Sequence, residues 1–347
     1  MKILKIADIE ISETSEPVII AELGINHHGS IDKAIYLADL AIKAGAKILK
    51  HQTHVIEDEM ALCAKKIVPD NAKKSIFHII QKYSLSESSE RKLMNYIKNK
   101  NRIFISTPFS RKAVDRLIKF DVPAFKIGSG ECNNYPLIEY ICKHKKPIIL
   151  STGMNSIETI KPAVKIIRKY KNPFALLHCT NIYPTPPKLV RLEAMLEIKK
   201  NFKDAVIGLS DHTETIHTSL GAIAMGACII EKHFIDSKKV KGPDVKASMD
   251  TSELKELIKG SKIIFQAKKG KKKQLKEEAK TVAFAFASVA AVKNISKGEK
   301  LTKNNIFPIR PGNGYFKVKD YNKLLGKTAI RNIKKGFQLN NKDVKKN

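Results

Sequence analysis

Two periodicities alternate along this chain. Short runs of apolar, often β-branched residues are each followed by a longer stretch in which apolar residues recur every three or four positions. The runs PVIIAEL (17–23), AKILKHQ (46–52), RIFIST (102–107), AFKIG (124–128), PIILST (147–152), FALLHC (174–179), AVIGLS (205–210) and ACIIEKHF (227–234) predict strands. Helical patterns cover 32–45, 88–100, 111–120, 136–144, 156–169, 189–200, 214–225 and 252–268. Strictly alternating strands and helices predict a parallel sheet. Eight such units over about 250 residues match a closed (β/α)8 TIM barrel. An open doubly wound sheet is the second choice, weakened because no GxGxxG follows the first strand. The long stretch 53–87 between the second strand and its helix reads as a functional βα loop.

The pattern changes after the last helix. KKGKKKQLKEEAK (268–280) is charged and reads as a linker. Residues 284–314 carry short strands and Gly/Pro turns with no long helix. The predicted organisation is a barrel over 1–268, a linker over 269–284 and a small, mostly β domain over 285–347. A domain of about 60 residues is marginal by itself and would lean on a partner.

Composition narrows the class. Of 347 residues 43% are hydrophobic, enough for a large core, and 28% are charged. No apolar run approaches the ~18 residues of a membrane span. The start, MKILKIADIEISETSEP, has acids inside its apolar stretch and no small-residue cleavage site, so no signal peptide is expected and the chain reads as cytoplasmic. Cys63, Cys132, Cys142, Cys179 and Cys228 are odd in number and unpaired in spacing, which predicts buried free thiols. The net charge of +30 suits an enzyme for anionic substrates or a nucleic-acid binder. The lysines are spread along the whole chain without aromatic interleaving, so no nucleic acid partner is expected and a lysine-filled solvent face accounts for most of the charge.

In a barrel the chemistry collects at the C-terminal strand ends. Those ends carry Glu22, Lys50 with Gln52, Thr107, Lys126, Ser129 with Glu131, Ser151, Asn181 with Tyr183, Ser210 with His212, and His233. Pairs two residues apart point to one face of an extended chain. Lys50, Lys126 and the neighbouring hydroxyls suit a phosphate or carboxylate; structural hydroxyls with snorkelling lysines are the alternative. His212 and His233 end adjacent strands and can hold a divalent metal, or can be hydrogen-bonded cleft histidines. His51 and His54 are a rival pair, while His78, His144 and His217 read as solvent-exposed. Glu22 and Glu131 are candidate acid/base groups, or ion-pair partners of Lys50 or Lys126.

The motifs AELGINHHGS (21–30), KHQTHVIEDEM (50–60), ISTPFSR (105–111), KIGSGECNNYPLI (126–138), LSTGMNS (150–156), LHCTNIYPTP (177–186), GLSDHT (208–213), KHF (232–234), GPD (242–244), FAFAS (284–288) and RPGNG (310–314) stand in one order. In this the chain resembles the bacterial N-acetylneuraminate (sialic acid) synthases over essentially its whole length. The resemblance implies a TIM barrel, a linker and an antifreeze-like domain, assembled as a homodimer with swapped C-terminal domains. It implies condensation of phosphoenolpyruvate with N-acetylmannosamine, with Mn2+ or another divalent cation such as Mg2+ or Co2+, and release of phosphate.

Carried over by motif, His212 and His233 resemble the metal ligands. Lys50, Thr107, Lys126, Ser129, Ser151, Asn181 and Ser210 resemble the phosphoenolpyruvate shell. Glu22, Gln52, Tyr183, Asp244 and Phe284 resemble residues that place the sugar, and Arg310 would reach its N-acetyl end from the other subunit. Glu131 resembles the proton-transfer residue. One departure concerns the sugar. KHF stands where RHF is common in sialic acid synthases, and relatives making legionaminic or pseudaminic acid also carry KHF. KHQTH and GECNNYPLI lean towards N-acetylmannosamine.

Overall fold

A computed structural model describes residues 2–69 and 73–345. The chain divides into two units, with the boundary between Lys269 and Gly270.

The first unit opens with an antiparallel hairpin, β1 (Leu4–Ile6) and β2 (Ile9–Ile11). Eight parallel strands follow: β3 (Val18–Glu22), β4 (Ile48–Thr53), β5 (Ile103–Pro108), β6 (Phe125–Ile127), β7 (Ile148–Ser151), β8 (Phe174–Cys179), β9 (Val206–Asp211) and β10 (Ile229–His233). Each pairs with the next and β10 pairs with β3, which closes the barrel. The hairpin lay outside the predicted elements. Its strands are three residues long, below the length at which a period-two pattern declares itself. Its Leu4, Ile6 and Ile11 are fully buried and pack with Ile20, Ile48, Ile105, Ile149, Leu177 and Ile229 in the barrel interior. The interior is therefore a filled core away from the C-terminal strand ends.

Helices surround the strands on the outer face, where a second and larger core lies. Their starts follow the capping rules. Ser30, Ser86, Ser110 and Asn134 each accept a hydrogen bond from a first-turn backbone N–H, and Asp250 completes a capping box with Glu253. Gly45 and Gly226, at φ +106° and +107°, follow the helices Ile31–Lys43 and His217–Ala224 in a backbone region that side-chain-bearing residues avoid.

One buried polar cluster lies in the outer layer. Glu90, on the helix Glu87–Asn99, accepts hydrogen bonds from Arg116 (3.2 Å) and Thr53 (3.3 Å). Burial pushes its carboxyl up to about 7, with Arg116 pulling the other way. The folded value lies above the ordinary 4.5, so this group's contribution to stability is complete below 4.5 and is lost as the pH rises through about 7. Glu90→Gln stays neutral at every pH. It is expected to exceed the parent in stability at pH 8.5 by roughly 1–3 kcal/mol and to show no such gain at pH 4.5, as read from urea midpoints.

The second unit, described by itself, has helical turns over Lys276–Glu278 and Ala279–Ala285 and an antiparallel pair, β11 (Ser288–Ala291) with β12 (Ile306–Ile309). Val289, Ala291, Ile295, Leu301, Ile306 and Leu339 form its own small core. Among the described residues no helix is long and apolar enough to cross a membrane.

Candidate active site

The C-terminal ends of the barrel strands surround a cavity of about 190 Å³. Strand register builds its wall. Glu22 on β3 stands level with Lys50 on β4 and with His233 on β10, and Gln52 stands level with Thr107 on β5. Side chains level on adjacent strands share a face, so these groups meet inside the closed barrel. Lys126 comes from β6, Ser151 from β7 and Ser210 from β9, while Ser129, Glu131, Asn181, Tyr183 and His212 follow strand ends. All of them line this one cavity. Asp244, 9% exposed, stands beside it with Oδ2 3.6 Å from Nδ1 of His233. Phe284 and Arg310 belong to the second unit, where both are exposed.

The two ammonium groups are buried and balanced by carboxylates. Lys50 forms an ion pair with Glu22 and donates to Thr107 Oγ1 at 3.0 Å. Glu231 Oε1 lies 3.8 Å from Lys50 Nζ and 3.5 Å from Lys126 Nζ, and accepts from Ser210 Oγ at 3.4 Å. Burial drives Glu22 up to about 7 despite Lys50. Burial also opposes charge on Glu231, but Lys126 and Lys50 outweigh it and hold that carboxyl below its ordinary value. On Lys50 the two carboxylates overcome burial and raise the pKa, whereas on Lys126 burial prevails and lowers it. The result is a cation pair held out of water, where its field is strong.

Sequence reasoning passed over Glu231. It shares the parity of Ile229 and His233 on β10, and that was the available signal. It also passed over Phe109 and Cys179, which line the cavity too. Lys232, the residue that distinguishes KHF from RHF, points the other way. It is buried in the outer layer, donates to Thr213 O at 2.6 Å and lies 3.6 Å from Asp211 Oδ2. It is not part of the cavity lining.

In the loops after β6 and β7, Gly153 N donates to Ser129 Oγ at 3.0 Å, and Asn155 Nδ2 donates to Ser129 O at 3.1 Å. A Cβ on Gly153 would run into Asn181 Oδ1, so any other residue there would push the Asn181 side chain from its place in the cavity. The Ser151 hydroxyl and Glu131 Oε2 are buried without hydrogen-bond partners, as expected of groups awaiting a polar ligand. Burial, reinforced by Glu59, brings the Glu131 carboxyl up to about 7. Burial lifts Asp244 to about 6, with Lys50 opposing.

His212 and His233 have ring centroids 5.5 Å apart. Tyr183 stacks on His212 at 4.1 Å, and its hydroxyl lies 3.1 Å from Nε2. His212 Nδ1 lies 3.1 Å from Thr180 O, which fixes Nδ1 as the protonated nitrogen, so Nε2 accepts from the Tyr183 hydroxyl, whose place a cation would take. His233 Nδ1 is buried with no hydrogen bond. Burial keeps both rings neutral, His212 down to about 4 and His233 well below its ordinary value. Two neutral imidazoles with an orphaned nitrogen fit a divalent cation. Among the described residues no group of three or more His, Cys, Asp and Glu side chains is arranged to hold one, so the remaining ligands would be water or substrate oxygens.

The rival histidines serve elsewhere. His51 faces the outer layer, 3.6 Å from Glu90. His54 stacks on Phe109 at 4.4 Å and hydrogen-bonds Glu59 at 2.8 Å. His78 and His217 are exposed as expected, but His144 is half-buried against Tyr140 and Phe125. Four of the thiols are buried and Cys63 is exposed.

Comparison with known proteins gives consistent likenesses. The NeuB family profile matches residues 37–273, and the SAF domain profile matches residues 286–345. The chain is 39% identical to the N,N'-diacetyllegionaminic acid synthase of Campylobacter jejuni subsp. jejuni serotype O:2, over 91% of this chain and 97% of that protein. It is 33% identical to the pseudaminic acid synthase of the same organism, over 94% and 96%. Among solved structures, it is similar to the N-acetylneuraminic acid (sialic acid) synthetase from Leptospira borgpetersenii serovar Hardjo-bovis in complex with citrate. There the TM-score is 0.74 and the identity 29%, over 81% of this chain and 95% of that one.

Proposed function

Because this chain belongs to the NeuB family, we propose that it is a sugar-acid synthase joining phosphoenolpyruvate to an open-chain N-acetylated aminosugar. Water is consumed, and a nine-carbon sugar acid and phosphate are released. The observation that carries this reading is the convergence of Lys50, Lys126 and their hydroxyl neighbours in one buried cavity that also holds two neutral imidazoles.

In this reading Lys50, Thr107, Lys126, Ser129, Ser151, Asn181 and Ser210 hold phosphoenolpyruvate. The two ammoniums offset the charge that gathers on the departing phosphate. The enol π pair forms the bond from C3 to the aldehyde carbon, and water adds at the resulting cationic C2. Glu131, poised near neutrality, takes one proton of that water and passes it to the alkoxide left on the former aldehyde oxygen. The C2–O bond to phosphate then breaks, its electron pair leaves with phosphate, which takes the proton of the new C2 hydroxyl, and a ketone remains. Glu22, Gln52, Tyr183 and Asp244 place the sugar. His212 and His233 would hold a divalent ion, Mn2+ first, with Mg2+ or Co2+ as substitutes, which supplies Lewis acidity towards the aldehyde oxygen when bound. The proposal includes cytoplasmic action and a homodimer with swapped C-terminal domains, in which Phe284 and Arg310 serve the partner's sugar.

Two sugars fit. The motifs KHQTH and GECNNYPLI favour N-acetylmannosamine and hence N-acetylneuraminate. The 39% identity to a diacetyllegionaminic acid synthase favours a 2,4-diacetamido-trideoxyhexose. Phosphate release measured with each sugar decides between them. A preference of at least about tenfold in kcat/KM for N-acetylmannosamine is expected, which is about 1.4 kcal/mol in the transition state. The reverse preference establishes the second reading, and release that ignores the sugar removes both.

A further inference from the structure

Asp244 sits in the loop that follows β10, and that loop is held from across the barrel's closing seam. Asn26, in the loop after β3, is 2% exposed. Its Nδ2 donates one hydrogen to Phe234 O and the other to Ser248 Oγ, both at 2.9 Å. The Ser248 hydroxyl donates in turn to Asp244 O at 2.8 Å. A single amide thus grips the beginning of the loop, next to His233, and through Ser248 the residue whose carboxyl stands beside the cavity.

Other contacts secure the loop at different points. Backbone bonds from Phe234 N to Glu22 O (2.7 Å) and from Met249 N to His233 O (2.8 Å) secure the two ends of the loop. The ion pairs Lys33–Asp236 (2.6 Å) and Lys238–Glu253 (2.7 Å) secure its outer part to helices. Asp244 O accepts from Ala247 N (3.1 Å) within the turn Val245–Ala247 as well as from the Ser248 hydroxyl, Ser248 N donates to Val245 O (3.1 Å), and the Asn26 amide anchors that turn through Ser248 Oγ. The donor requirement is specific. Both acceptors are oxygens, one a carbonyl with no proton to give, so the side chain there must offer two N–H groups from one atom. Alanine offers none and aspartate would set charge against the carbonyl.

We propose that Asn26 is a positioning residue that sets the Asp244 carboxyl at the sugar end of the cavity, with Ser248 as the relay. This rests on the reading of Asp244 as a sugar contact. Its consequence is selective. The phosphoenolpyruvate shell stands on or just after strands β4 to β9, and none of its side chains hydrogen-bonds Asn26 or Ser248. Breaking the relay should therefore weaken the sugar and spare the enol ester.

The test uses the full-length enzyme with N-acetylmannosamine, or with the diacetamido sugar if that is the one turned over. Asn26→Ala and Ser248→Ala are each expected to raise the KM for the sugar about tenfold while leaving the KM for phosphoenolpyruvate within twofold. The double variant should be no worse than Asn26→Ala in sugar KM, because both changes cut one chain. Hydrogen exchange should quicken in peptides spanning 242–248 and not in the barrel helices. Equal rises in both KM values, additive single effects, or unchanged exchange would each overturn the proposal. Asp244→Ala separates the two layers. If it raises the sugar KM and Asn26→Ala does not, the relay is wrong and the site reading stands. If Asp244→Ala leaves the sugar KM unchanged although exchange quickens in Asn26→Ala, the site reading fails and the positioning role falls with it.

Discussion

Lys126→Ala is expected to lower phosphate release from phosphoenolpyruvate by about a thousandfold at saturating sugar, the upper end of what one preorganised electrostatic donor contributes. Lys126 is 2% exposed, and its charge faces little water that could take over its role. The cavity also lacks a substitute. Lys50 is already engaged by Glu22 and Thr107. Removal leaves Glu231 with one of its two cations, 3.8 Å away. Breaking a buried pair costs about 3–5 kcal/mol of stability, so the urea midpoint should fall as well. Lys126→Met retains volume and removes only charge, and it should lose the same activity. Lys126→Ala combined with Glu231→Gln should recover stability and not activity. Recovery of both would mean that Lys126 serves the fold rather than the substrate.

Chelation is expected to stop turnover, by at least about a hundredfold, and added Mn2+ to restore it. His212→Ala and His233→Ala should each abolish the restored activity while the helical circular dichroism stays intact. Both rings are neutral before any ion arrives, so the lone pairs are available without deprotonation in the neutral range. Two imidazoles alone make a weak cage, and removing one should raise the Mn2+ dissociation constant by a factor of ten or more in a direct titration. Tyr183→Phe should bind the ion at least as tightly as the parent, since the His212 tautomer is set by Thr180 O and the change frees the Nε2 lone pair of its hydrogen bond to the tyrosine. Turnover that survives chelation would remove the metal from the reaction. Unchanged ion affinity in both histidine variants would place it elsewhere.

Part of the site was readable from spacing. Lys50 and Gln52 on β4, and Ser210 and His212 at the end of β9, are two apart, so each pair shares a face without any knowledge of the neighbours, whereas Asn181 and Tyr183 lie past the end of β8 and reach the cavity from a loop. Glu231 was hidden in the same arithmetic. Between Ile230 and Lys232 it reads as a polar position in a charged stretch, and only the inward direction of β10 separates it from Lys232. Those two adjacent charges end on opposite sides of the wall. Glu231 sits between two lysines in the cavity, and Lys232 sits against Asp211 beneath the helices. The departure of KHF from RHF therefore concerns a side chain that does not line the cavity.

Local patterns determined what local physics controls. Hydrophobic period, caps and turn residues specify eight strands and eight helices, because each depends on a few neighbouring residues. Eight repeated units also specify parallel strands, since helical crossovers permit nothing else. Other features depend on closure of the barrel and on the register across its strands. These are the hairpin of two three-residue strands that fills the bottom, the level of Glu22 between Lys50 and His233, and the hold of Asn26 on the loop of Asp244. The bonds from Asn26 join residues 208 and 222 positions apart. Their energies appear only when burial strips water from both partners, and no stretch of sequence records which partner that will be.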